Sequence, residues 1–215
     1  MASLVKIAHG ATIGVVENGN SAVVVTIGPH AELLDRRTID LTGPELPTHP
    51  HHHEGSWAVG RYLNTPGARR ISLAEAVALV ERVRAAATLG AQAALDGIAA
   101  AVSLPIAGVA LRICPELPAS TEDCIRDNRA QTYADTVMYR RAIAAAASRR
   151  GWGVHWYDRE RVRAEAAAVM GRTEIEGYLR DLGKSLGAPW QAPHKLAAAA
   201  AIAATSPRAP RARSS

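Results

Sequence analysis

The chain reads as an α/β domain: a three-stranded antiparallel meander, then two further strands in one mixed sheet with flanking helices, in the order βββαβαβα with one extra helix inserted late. Three observations predict this. The first third carries short apolar runs separated by turn residues, as strands do. From residue 72 the apolar positions recur at three- and four-residue steps, as on amphipathic helices. Two short runs, 106–113 and 153–157, interrupt that period and read as strands.

Residues 12–17 are short and apolar, and Asn18-Gly19-Asn20 offers the positive φ angles of a tight hairpin before the run SAVVVTI at 21–27. Gly28-Pro29 breaks that run, and 32–41 gives a third strand in which charged residues interleave with Leu34, Ile39 and Leu41. The segment 42–70 holds Gly43, Pro44, Pro47, Pro50 and Gly55 before Trp57, which predicts a long irregular insertion. Ser72-Leu-Ala-Glu75 is a capping box, and Val77, Val80, Val83, Ala87, Ala91, Ala94, Leu95 and Ile98 carry its helix toward the stop at Pro105. IAGVALRI at 106–113 is too short and too uniformly apolar for a solvated helix. A helix is predicted over 121–150, with Val137, Met138 and Ile143 inward and Gly151 as its stop. In GVHWY at 153–157, His155 and Tyr157 share one face and Trp156 takes the other, toward the core. Asp158 is placed to cap a helix through Met170, and Thr173-Glu-Ile-Glu176 reads as a second capping box opening 175–186. Pro193-His194 opens a last, alanine-rich helix.

Bulk properties exclude several classes. A chain of 215 residues fits one domain, predicted over 1–205, followed by a disordered basic tail at 206–215 rich in Ser, Pro, Arg and Ala. The longest apolar block, 196–204, is nine residues, far short of the roughly 20 that span a bilayer, so no membrane partner is expected. No secretory signal stands near the start, and Cys114 and Cys124 match no zinc or redox spacing, so a cytoplasmic, reducing setting is expected. The net charge is +5, of which Arg208, Arg211 and Arg213 in the tail supply three, leaving +2 for the body. Arginine far exceeds lysine and phenylalanine is absent; that bias is read first as the codon usage of a GC-rich genome and second as phosphate binding.

The element order, together with ADTVMYRRAI at 134–143, GWGVHWYD at 151–158 and HKLAAAAAI at 194–202, resembles the ribonuclease H-like superfamily and, within it, RuvC-type resolvases. The resemblance covers residues 12–204. It implies nucleic-acid binding and phosphodiester cleavage through two divalent ions, Mg or Mn, held by acids on the first strand, the fourth strand and the last helix. Glu17 falls near the first of those positions, where the family has aspartate. On the fourth strand Arg112 stands where the family has glutamate. On the last helix His194 fills one ligand place, but the acid three residues on is Ala197. Conventional cleavage is therefore expected to be lost, or rebuilt around Glu17, His194 and the histidine segment at 48–54, with DNA or RNA contacts from Arg112, Arg129, Arg140 and Lys195.

A second cluster, Thr48-His-Pro-His51-His52-His53-Glu54, combines imidazoles with a carboxylate. It reads either as a Zn, Ni or Mn site of a metal-dependent hydrolase or as a polar loop packing Trp57 and Tyr62. On the helix at 121–150, Asn128, Gln131 and Asp135 share one face. That face is either solvated or, with Arg129 and Tyr133 nearby, a phosphate-receiving helix start. The remaining alternative is a structural or regulatory interaction module, paired as a homodimer through its alanine-rich helices.

Overall fold

Gly19 turns the chain at φ +60°, and that single left-handed residue lets β1 (Ala11–Asn18) run back as β2 (Ser21–Ile27) with Asn18 opposite Ser21. The structure is a computed structural model describing residues 10–185 and 187–205; the expected tail at 206–215 lies outside the described residues. β3 (Leu33–Asp40) pairs antiparallel with β2; Asp35, Arg36 and Arg37 sit at half-buried positions and Asp40 is exposed.

The segment that follows is less irregular than its prolines and glycines imply, since it contains the short helix α1 (Glu54–Ala58). The capping box forms as read at the start of α2 (Leu73–Ala101): Glu75 N–H donates to Ser72 Oγ at 3.2 Å, and Ser72 N–H donates to Glu75 Oε2 at 2.7 Å. β4 (Ile106–Arg112) joins β1 in parallel.

The helix predicted over 121–150 is two helices, α3 (Thr121–Arg126) and α4 (Asn128–Arg149). Asp127 divides them. Its backbone is extended and its Oδ1 accepts from Arg129 N at 2.8 Å and Ala130 N at 3.0 Å, so the side chain starts a new helix instead of continuing the old one. β5 (Gly153–Tyr157) then pairs in parallel with β4.

Two predicted caps shift. Asp158 Oδ1 is taken by Glu160 N–H in a turn, so α5 (Val162–Val169) begins later than expected. Glu174, not Thr173, receives the N–H groups of Glu176 and Gly177 and opens α6 (Glu176–Leu182), which closes in a 3-10 turn at Gly183–Ser185. The last helix is α7 (Ala192–Ala204).

The sheet order is β3-β2-β1-β4-β5, the ribonuclease H-like arrangement. Alternation along the strands splits the core. Ile13, Val15, Val24, Val109 and Leu111 face α2 and α4, whereas Val25, Ile27, Ala110 and Tyr157 face α5, α6 and α7. Residues Leu196 to Ala203 of α7 are all buried against that second face. The alanine surface of α7 is therefore consumed within one chain. Among the described residues no helix is long and apolar enough to cross a membrane.

Candidate functional site

β1 and β4 run side by side in the same direction, so Glu17 and Arg112 emerge together at one edge of the sheet. In open α/β sheets, ligands bind in the crevice beyond such carboxyl ends. Here the crevice is a groove of about 1080 Å³, bounded by Gly19 and His49, by the chain after β4 from Ile113 to Pro118, and by Arg129, Tyr133 and Arg140 of α4. A smaller pocket of about 180 Å³ shares Glu17 and Arg112 with it and is closed by Tyr157, Arg159, Arg163 and the first turns of α7.

Glu17 is not a free ligand. Arg140 Nε donates to Glu17 Oε1 at 2.7 Å, Nη2 donates to the same oxygen, and Nη1 donates to Ile113 O at 3.1 Å. The two side chains are 6% and 5% exposed, so the pair is sequestered. This pairing involves two of the residues singled out in the sequence. Glu17 is spent neutralising a guanidinium, and Arg140 is spent on Glu17 instead of reaching outward to nucleic acid. Beneath the pair, the Tyr157 hydroxyl donates to Val15 O at 3.0 Å, and burial holds its pKa well above the usual phenol range.

The other expected ligand also points elsewhere. His194 Nδ1 accepts from Gln191 N–H at 3.2 Å in a capping box, and its ring stacks on Trp190 with centroids 5.7 Å apart. Burial, and secondarily the Arg36 guanidinium, hold its pKa below the usual imidazole range. The α7 residues lining the pocket are Ala192, Pro193 and Leu196. Ala197 is fully buried, its carbonyl oxygen against Gly14 of β1. The helix thus presents a different set of positions to the site from the one expected, and all of them are without ligand atoms. Lys195 lines neither cavity.

A pair of divalent ions does not fit these residues. Arg112 and Arg140 bring positive charge to the strand ends, and Glu17 is the only carboxylate among the residues shared by the two cavities. Among the described residues no group of three His, Cys, Asp or Glu side chains is arranged to hold a metal ion.

That statement also covers the histidine segment, where His51, His52, His53 and Glu54 are expected as ligands of a hydrolase. Asp135 of α4 organises the segment. Its Oδ1 accepts from His51 N–H at 3.0 Å and lies 2.8 Å from His51 Nδ1, while Oδ2 accepts from His52 N–H at 3.1 Å. One turn earlier, Gln131 Oε1 accepts from Ser56 Oγ at 2.8 Å and Arg61 Nη1 at 3.1 Å. Tyr139 adds a bond to Thr48 O at 2.9 Å. The imidazoles are spread along the segment, with ring centroids 5.4 Å apart for His49 and His53 and 5.5 Å for His52 and His53. Burial raises the Glu54 carboxyl above its usual range. Gln131 and Asp135 of the α4 polar face are therefore buried structure, whereas Asn128 at its start is exposed. Asp135→Ala is expected to lower unfolding free energy by about 3 kcal/mol, because it strands two buried backbone donors and an imidazole. Urea unfolding measures this, and a loss below about 1 kcal/mol would mean that the segment is held by other contacts.

The groove is lined by the exposed arginines Arg112 and Arg129, with Tyr133 beside them at 47% exposure, and by two exposed carboxylates, Glu116 and Asp127, the second of which caps α4. Arg159 and Arg163 complete the smaller pocket. The sequence carried no signal for these two, since arginines around a helix start look like any solvated turn.

Fold and site together define a ribonuclease H-like domain whose strand-end site is lined by arginine. No family model matches the chain, and no curated protein does. Two solved structures are similar to it: Thermus thermophilus RuvC in complex with a Holliday junction substrate, at 16% identity and TM-score 0.49 over 91% of this chain and 92% of that one, and a second Thermus thermophilus RuvC structure, at 13% identity and TM-score 0.43 over 90% and 92%.

Proposed function

We propose that this chain binds DNA or RNA along the groove beyond β1 and β4, and that it holds the backbone with guanidinium groups without cleaving it by two-metal chemistry. The observation that carries this reading is the charge exchange at the strand ends: Arg112 stands exposed in the groove, and the carboxylate at the end of the neighbouring strand, Glu17, is cancelled by Arg140. Arginine suits phosphate because its planar fork can donate two hydrogen bonds to one anion. Tyr133 offers a ring on which a base can stack.

Nucleic-acid binding driven by phosphate contacts releases counterions, so affinity must fall with salt. With Arg112 and Arg129 each meeting one phosphate of the backbone in the groove, log affinity is expected to fall with log salt at a slope of about −1.5 to −2, and Arg129→Ala reduces that slope by about one. Fluorescence anisotropy on single-stranded and duplex oligonucleotides between about 50 and 200 mM salt measures both. Absence of binding to every form at the lower salt would overturn the reading.

A further inference from the structure

The pocket of about 180 Å³ differs chemically from the groove it opens onto. Its cations come from three separate places: Arg112 at the end of β4, Arg159 in the turn after β5, and Arg163 on α5. Arg163 shares its charge with Glu176 at 2.7 Å. Arg112 and Arg159 are exposed and make no ion pair with another described residue. The only carboxylate in the lining is Glu17, already neutralised by Arg140. Two guanidiniums without an ion pair therefore line a small space in which no other described residue supplies an anion to satisfy them.

The rest of the lining, beyond Tyr157, is an apolar wall of Val16, Ala192, Pro193 and Leu196. An internal phosphodiester continues into a sugar on both sides, and that wall offers nothing to a second sugar. A terminal phosphate continues on one side only. It also carries about −1.5 to −2 charges near neutral pH, which two free guanidiniums match better than they match the single charge of a backbone linkage.

We infer that this pocket seats the terminal phosphate of a nucleic-acid strand whose backbone lies in the adjoining groove, a reading that rests on the groove binding nucleic acid. The chain thereby distinguishes a phosphorylated strand end from a hydroxyl end. Arg159 is the discriminating residue, because it lines this pocket and not the groove, whereas Arg129 lines the groove and not the pocket.

Anisotropy with the full chain tests this, using one oligonucleotide prepared with a 5′-phosphate, with a 3′-phosphate and with hydroxyls at both ends, the dye being internal. One phosphorylated form is expected to bind about tenfold tighter than the hydroxyl form, the effect of one additional charge-assisted hydrogen bond. Arg159→Ala, at an exposed position, is expected to abolish that preference while leaving the hydroxyl form within about twofold. Arg129→Ala is expected to weaken all three forms alike. Equal affinity for all ends, or a preference that survives Arg159→Ala, overturns the inference and leaves the groove reading standing. Failure of all three forms to bind overturns both. Inorganic phosphate is the last arm: if it competes as tightly as the phosphorylated strand, the pocket serves the free ion and the inference is overturned.

Discussion

Replacing Arg140 with alanine is expected to cost about 3–5 kcal/mol of folding stability, because it leaves the Glu17 carboxylate buried without its counter-charge. The size of that loss bears on function as well as on stability. A carboxylate that solvent or a metal ion could reach would be compensated when the arginine is removed. One only 6% exposed cannot be. The double replacement Glu17→Leu with Arg140→Met removes both charges and is expected to recover most of the loss, since apolar residues of similar volume substitute well for a buried pair. Urea unfolding of wild type, the single variant and the double variant gives the comparison. A single-variant cost below about 1 kcal/mol would place Glu17 in a solvated, ligand-competent setting. That result would restore the metal-site reading.

Gly14→Ala is expected to be comparably damaging, at about 3 kcal/mol or more, for a steric reason. A Cβ on Gly14 would lie 1.8 Å from the carbonyl oxygen of Ala197 and 2.9 Å from the backbone nitrogen of Ala201. Both partners are backbone within a regular helix, so no side chain can rotate away. The helix must lift as a body. α7 also supplies Pro193 and Leu196 to the small pocket, so the same substitution is expected to weaken recognition of a strand end in whatever fraction remains folded. A wild-type urea midpoint for Gly14→Ala would show that α7 does not sit backbone to backbone on β1.

How far the sequence discloses this molecule depends on how local each signal is. The Ser72–Glu75 box and the Gly19 hairpin were readable because donor and acceptor lie within four residues of one another. Asp127 divides a helix predicted as continuous, because an aspartate reads equally well as a solvated helix residue or as a new cap, and only the backbone angle decides. The pair that defines the site was not readable as a pair. Glu17 and Arg140 are 123 positions apart, and each was assigned separately, one to metal and the other to nucleic acid. The polar face of Gln131 and Asp135 was visible at helical spacing, but the segment it anchors lies more than 70 residues earlier. Rotation of α7 about its axis was equally hidden. An all-alanine stretch gives no contrast by which to tell which positions face a groove, and so His194 and Ala197 were expected where Pro193 and Leu196 stand.

The central proposal is that guanidinium groups, not metal-binding acids, serve the strand-end site, so that the protein grips phosphate and leaves it intact. The most direct measurement follows one labelled oligonucleotide in the presence of Mg²⁺, of Mn²⁺ and of EDTA, reading binding by anisotropy and strand integrity on a denaturing gel, for wild type, Arg112→Ala and Glu17→Gln. The expected result is binding that survives EDTA, weakens with Arg112→Ala, and leaves the strand uncut in every lane. Cleavage that requires Mg²⁺ or Mn²⁺ and disappears with Glu17→Gln would contradict it.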